Sequence, residues 1–200
     1  MRTLIRNLTA VLAVGACLAL AQTARAHFIW LAPDAAEGSS VVQIYFGEQA
    51  SPDDPELLKH VEGVQVWQVR QGEDPQSLKV ERTGSSLLAG IPQGRRRGSL
   101  VIAAHDLGVM NRGDAVFRLK YYAKAKPGRG LRAWSTVDCS AHLPLDVVPR
   151  VAEGQVPHAV TFQGKPVKGA QVKASGPGLD DFEAETDAAG NAQFSLADSG

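Results

Sequence analysis

The sequence predicts an all-β protein made of two β-sandwich units behind a cleaved leader. Short runs rich in branched and aromatic residues recur along it, and clusters of Gly, Pro, Asp and Ser separate them. The style of the chain then changes after Pro144-Leu145-Asp146-Val147-Val148-Pro149-Arg150, where two prolines bracket an extended segment. This divides the protein into a leader over 1–26, an N-terminal β-sandwich domain over 27–145 and a second β domain over 146–200.

The leader comes first. Arg2 and Arg6 give it a positive start, Leu8 to Leu20 is apolar, and Ala24-Arg25-Ala26 is an A-x-A cleavage signal. The apolar run falls short of the roughly 20 residues that span a bilayer, and no comparable stretch follows, so the mature protein is expected in the periplasm or outside the cell. Cleavage after Ala26 makes His27 the first residue. Val14-Gly15-Ala16-Cys17 loosely resembles a lipobox, and cleavage there would leave His27 inside a lipid-anchored chain.

Strands are expected from His27-Phe28-Ile29-Trp30-Leu31 onward, over 41–46, 64–70, 99–104, 116–122 and 131–137. In Val64-Gln65-Val66-Trp67-Gln68-Val69-Arg70 apolar and polar residues alternate, as in a half-buried strand. One segment departs from this pattern. Asp53-Asp54-Pro55-Glu56-Leu57-Leu58-Lys59-His60 has an Asp cap, a Pro at the first helical position and an acid in the first turn, which predicts a short helix whose C-terminal end carries His60. In the second unit, Gly164-Lys165-Pro166 reads as a tight turn. Gly169-Ala170 allows close packing where a strand begins, and Asp187-Ala188-Ala189-Gly190 reads as a hairpin turn whose glycine takes positive φ.

Removing residues 1–26 takes away Arg2, Arg6 and Arg25 and no acid, which leaves 18 basic against 21 acidic residues and a net charge of −3 before histidine. That balance gives nucleic-acid binding no support. The one basic cluster, Arg95-Arg96-Arg97, lies between Gly94 and Gly98 and reads as a solvated turn, with a phosphate or headgroup contact as the alternative. Cys139 alone remains after loss of Cys17, so no internal disulfide forms; it reads as a buried small apolar residue or a soft metal ligand.

An N-terminal histidine can close a chelate ring on one metal through its amine and its imidazole, and imidazole suits copper, nickel and zinc. A third donor is needed. His105, at the end of an apolar strand, is the first candidate, and His142, three residues from Cys139, is the second; His60 and His158 read as surface residues. The predicted metal set is therefore His27, His105 and His142. Each also reads as an ordinary strand-end histidine. The sequence holds no H-E-x-x-H, G-x-S-x-G, P-loop or G-x-G-x-x-G, and Asp53-Asp54 and Asp180-Asp181 read as solvated turn residues, so no enzyme is expected.

The Gly164-Lys165-Pro166-Val167 and Asp187-Ala188-Ala189-Gly190 motifs resemble the carboxypeptidase-regulatory-like, transthyretin-like β-sandwich over roughly the last 45 residues. That resemblance speaks to fold, not activity. More widely, the leader ending at His27, Val42-Gln43-Ile44-Tyr45-Phe46-Gly47-Glu48, Ala104-His105-Asp106-Leu107-Gly108-Val109 and Leu119-Lys120-Tyr121-Tyr122-Ala123-Lys124 resemble a bacterial exported domain-of-unknown-function family. Its members are grouped with periplasmic components of nickel and cobalt uptake systems. The resemblance implies an extracytoplasmic protein that captures nickel, cobalt or copper and hands it to a membrane transporter, with His27 and His105 at matching positions. It also implies a further strand, with another histidine, beyond Gly200, so that either the gene model is truncated or the second domain has lost that strand, which would leave a sheet edge unpaired. Copper on an N-terminal histidine is also the centre of lytic polysaccharide monooxygenases, which the chain resembles in nothing else. A structural or adhesion-type envelope protein without metal is the alternative.

Overall fold

The computed structural model describes residues 26–34, 39–128, 132–149, 158–176 and 179–193. The leader before Ala26, the 151–157 stretch and the tail from Phe194 lie outside the described residues. The fold is all-β. Among the described residues no helix is long and apolar enough to cross a membrane.

Two four-stranded antiparallel sheets form the larger part. The first has the order β1–β2–β6–β5, with β1 Phe28–Pro33, β2 Val41–Gly47, β5 Val80–Thr83 and β6 Ser86–Gly90. The second runs β4–β3–β7–β8, with β3 Gln65–Arg70, β4 Gln76–Leu78, β7 Ser99–Arg112 and β8 Ala115–Ala125. Ile29, Val42, Ile44 and Phe46 from the first sheet and Val66, Leu78, Val101 and Ala103 from the second are buried in one cluster, so the sheets share a core. Period-two alternation puts the intervening residues of β3 and β7 on the opposite face. There Val69, Leu100 and Ile102 pack with Ala133, Val137, Cys139 and Leu143 as a second cluster, with Trp67, Tyr122 and Trp134 against it.

The strand expected over 131–137 is instead a short α-helix, α1, Arg132–Thr136. Ala133 and Val137, four residues apart, both point into the second cluster, and the Val137 N–H bonds the Ala133 carbonyl at 3.1 Å. Helical spacing therefore places them on one face, whereas a strand would do so only for residues two apart. The expected 53–60 helix is present as a 3-10 helix, Pro55–His60, with the Asp54 carboxylate accepting from the Glu56 N–H at 2.9 Å.

β7 outruns its predicted end at Ala104 by eight residues. Asp106 and Gly108 look like chain breakers, but a register shift between them absorbs both: Gly108 takes φ 93°, and its N–H bonds Asp106 Oδ1 at 3.0 Å. Because β3 pairs with β7 only as far as Ala104, the outer half of the β7–β8 hairpin is a two-stranded ribbon. On it Val109, Met110, Val116 and Phe117 are exposed.

The Arg95-Arg96-Arg97 turn lies at the surface and is tied to its surroundings. Arg95 pairs with Glu73, Arg96 donates to the Asp34 carbonyl at 2.6 Å, and the buried Gln68 amide donates to the Arg95 carbonyl at 2.7 Å. Two of the three arginines thus have protein partners, while Arg97 is exposed.

Past α1, β9 Leu145–Pro149 pairs with β10 His158–Phe162, which also pairs with β11 Lys165–Pro166 and β14 Asn191–Ala192. A separate hairpin joins β12 Gln171–Gly176 to β13 Leu179–Glu185. Both predicted turns are present. Gln163 and Gly164 take φ 52° and 74°, and Gly190 takes φ 76° while Asp187 Oδ1 accepts from the Ala189 and Asn191 N–H groups. β9 is tied to β8 by an ion pair between Lys124 and Asp146, whose side chains are only 7% and 18% exposed, and the Lys124 ammonium lies 5.3 Å from the centre of the Trp134 ring.

Candidate functional site

The three nominated histidines fall in two places. His27 precedes β1 by one residue and shares the parity of Ile29, which faces the core between the sheets. Its half-buried ring sits 5.7 Å from Phe46, and Phe46 meets Tyr121 edge-on at 5.5 Å. Tyr121 is the cross-strand partner of His105. His27 and His105 therefore occupy the same inner face at the same end of the sheets, with Phe46 and Tyr121 between them.

His105 is oriented by the 3-10 helix. A carbonyl can only accept, so the 2.8 Å contact between His105 Nε2 and the His60 carbonyl is a bond donated by Nε2–H. In the neutral ring this leaves the lone pair on Nδ1, the arrangement in which a backbone carbonyl fixes the tautomer of a ligating histidine. His60 contributes its carbonyl; its side chain stays exposed. The sequence offered no signal for this pairing, because 45 residues separate the partners.

His142 lies elsewhere. Its ring stacks on Trp67 at 4.2 Å, on the opposite face of the β3–β7–β8 sheet. An open cleft of about 450 Å³ there is lined by Gln65, Trp67, Asp106, Lys120, Tyr122 and His142, and His105 lines it too, so two of the three nominated histidines border one cleft. Asp106 pairs with Arg118, whose hydrogen bonds hold its carboxyl down at about 2, and Lys120 stands 3.5 Å away. Among the described residues, the side chains of Gln65, Tyr122 and His142 have no hydrogen-bond partner.

Cys139 does not join His142. It is 2% exposed in the second core cluster, and burial pushes its thiol up to about 11. A thiolate ligand is disfavoured there. Its alkylation by iodoacetamide at pH 8 is expected to be at least ~100-fold slower in the folded protein than in urea, because both exposure and ionisation must be gained first. Mass spectrometry of the labelled chain measures this, and comparable rates would contradict the burial.

Among the described residues no three His, Cys, Asp or Glu side chains form a group able to hold a metal. The rings of His27 and His105 are separated by Phe46 and Tyr121. The chain matches no family model, no curated protein and no solved structure.

Proposed function

We propose that this is an exported, non-enzymatic protein that binds a transition-metal ion, nickel, cobalt or copper, at a mature N-terminus beginning with His27 and passes it to a membrane transporter. The observation that carries this reading is the placement of His27 and His105 on one face at one end of the sheets. The amine and imidazole of His27 form the chelate, and His105, its Nε2–H held by the His60 carbonyl, offers Nδ1 on the same face. Phe46 and Tyr121 lie between the two imidazoles, so a shared ion requires His27 to leave its contact with Phe46 and move toward β8. Two protein residues leave coordination positions to water, which suits an ion that must be released. The resemblance to proteins grouped with nickel and cobalt uptake supports the same reading.

The test compares two chains by calorimetric titration with Ni(II), Co(II) and Cu(II), one beginning at His27 and one at Ala26. The His27 chain is expected to bind at least one ion tighter than ~1 µM, and the single added residue to weaken this by about 100-fold because it removes one arm of the chelate. His105→Ala is expected to weaken it by about tenfold. Failure of the His27 chain to bind any of the three ions tighter than micromolar refutes the proposal.

The second reading, an envelope β protein that acts without metal, is favoured by the cleft on the far side of the sheet. Under it, His27→Ala leaves both melting temperature and phenotype unchanged.

A further inference from the structure

We propose that the cleft over Trp67 and Tyr122 binds an acidic sugar unit, a pyranose ring bearing a carboxylate. This does not rest on the metal reading: His105 also lines the cleft, but the contacts argued for the ligand are Gln65, Trp67, Lys120, Tyr122 and His142, none of them a donor in that reading.

The lining sets the ligand class. The stacked Trp67–His142 pair and Tyr122 are half-buried, so the ligand must offer an apolar face to ring edges and planes. Around them stand the Gln65 amide, the Tyr122 hydroxyl and the His142 imidazole, each able to donate or accept and none hydrogen-bonded to another described residue. A flat aromatic acid would satisfy the ring surface and leave these three groups unanswered. A pyranose has both an apolar C–H face and a rim of hydroxyls.

The charge asks for an anion. Asp106 is the acid lining the cleft, and Arg118 already pairs with it. Lys120, 43% exposed, also pairs with Asp106 at 3.5 Å, so two cations share one carboxylate and the trio carries one net positive charge at the cleft. A carboxylate meeting that ammonium would be held by a charge-assisted hydrogen bond. The volume, about 450 Å³, falls in the range of small-molecule sites, and the open mouth admits a unit within a longer chain.

The probes are trigalacturonate, a neutral β-1,4-linked glucose trisaccharide and acetate, titrated into the full mature protein and followed by amide chemical shifts. Trigalacturonate is expected to bind with Kd below ~1 mM and to shift the amides of residues 65–67, 120–122 and 141–142, the neutral trisaccharide to bind at least ~10-fold more weakly, and acetate not to shift them. Lys120→Gln is expected to abolish the preference for the acid while leaving the neutral sugar unchanged, and Tyr122→Phe to weaken both. Lys120 is exposed, so its variant folds; an unchanged melting temperature confirms this. The proposal is overturned if trigalacturonate fails to bind by ~10 mM, if the neutral sugar binds equally, if acetate binds as well as the sugar, or if Lys120→Gln leaves the preference intact.

Discussion

Replacing Lys124 by Met is expected to destabilise the protein by about 3–5 kcal/mol, the penalty for leaving one member of a buried ion pair alone. Asp146 is the partner stranded, at 18% exposure beneath β8, with Trp134 and the Cys139 cluster around the vacated site. The pair costs desolvation to bury and regains it through attraction, so removing both charges should be far milder than removing one. Lys124→Met with Asp146→Leu is expected to recover most of the loss. Urea denaturation of the wild type, both single variants and the double variant measures the coupling. Additive losses would show that the two side chains do not depend on each other. The pair joins β8 to β9, so its loss should also loosen the hold of one sheet system on the next.

Gly190→Ala is the other large effect. Gly190 takes φ 76°, a left-handed conformation that costs a residue with Cβ roughly 1–2 kcal/mol. Its surroundings add to that, because a Cβ there would lie 2.6 Å from the Val160 carbonyl oxygen and 3.1 Å from Pro166 Cβ. Backbone cannot swing aside as a side chain can. The Val160 N–H bonds the Gly190 carbonyl at 2.8 Å, so displacing either segment also breaks the junction of β10 with β14. The combined loss is expected to reach about 3 kcal/mol, within the range for strained backbone and overpacking together. Thermal melting followed by circular dichroism checks it, and a change below ~1 kcal/mol would mean that the turn relaxes freely.

What the sequence made legible was local. The β2 and β3 strands, the Asp54 cap and the Asp187–Gly190 turn each depend on neighbours within a few residues, and each is where the pattern placed it. The 131–137 segment was misread because Trp134, Thr136 and Val137 favour strands, while the packing of Ala133 and Val137 on one side decides for helix. The end of β7 was misplaced because a bulge accommodates Gly108 without ending the pairing. At the candidate site, His27 and His105 could be nominated by residue type and strand position. Their shared face, the His60 carbonyl that orients His105 and the stacking of His142 on Trp67 all join residues distant along the chain. No local pattern encodes those contacts.

The outer β7–β8 ribbon has a consequence for how the protein breathes. From Val101 to Ala104 β7 is paired on both sides and backed by buried Val101, Ile102 and Ala103; from Val109 outward, a pair of strands carries side chains exposed to water. Two-stranded ribbons are marginal by themselves. Amide exchange along this one hairpin should therefore grade from global-unfolding protection at Val101 to nearly free exchange at Asn111, so that a single continuous strand contains both the most and the least durable hydrogen bonds of its sheet.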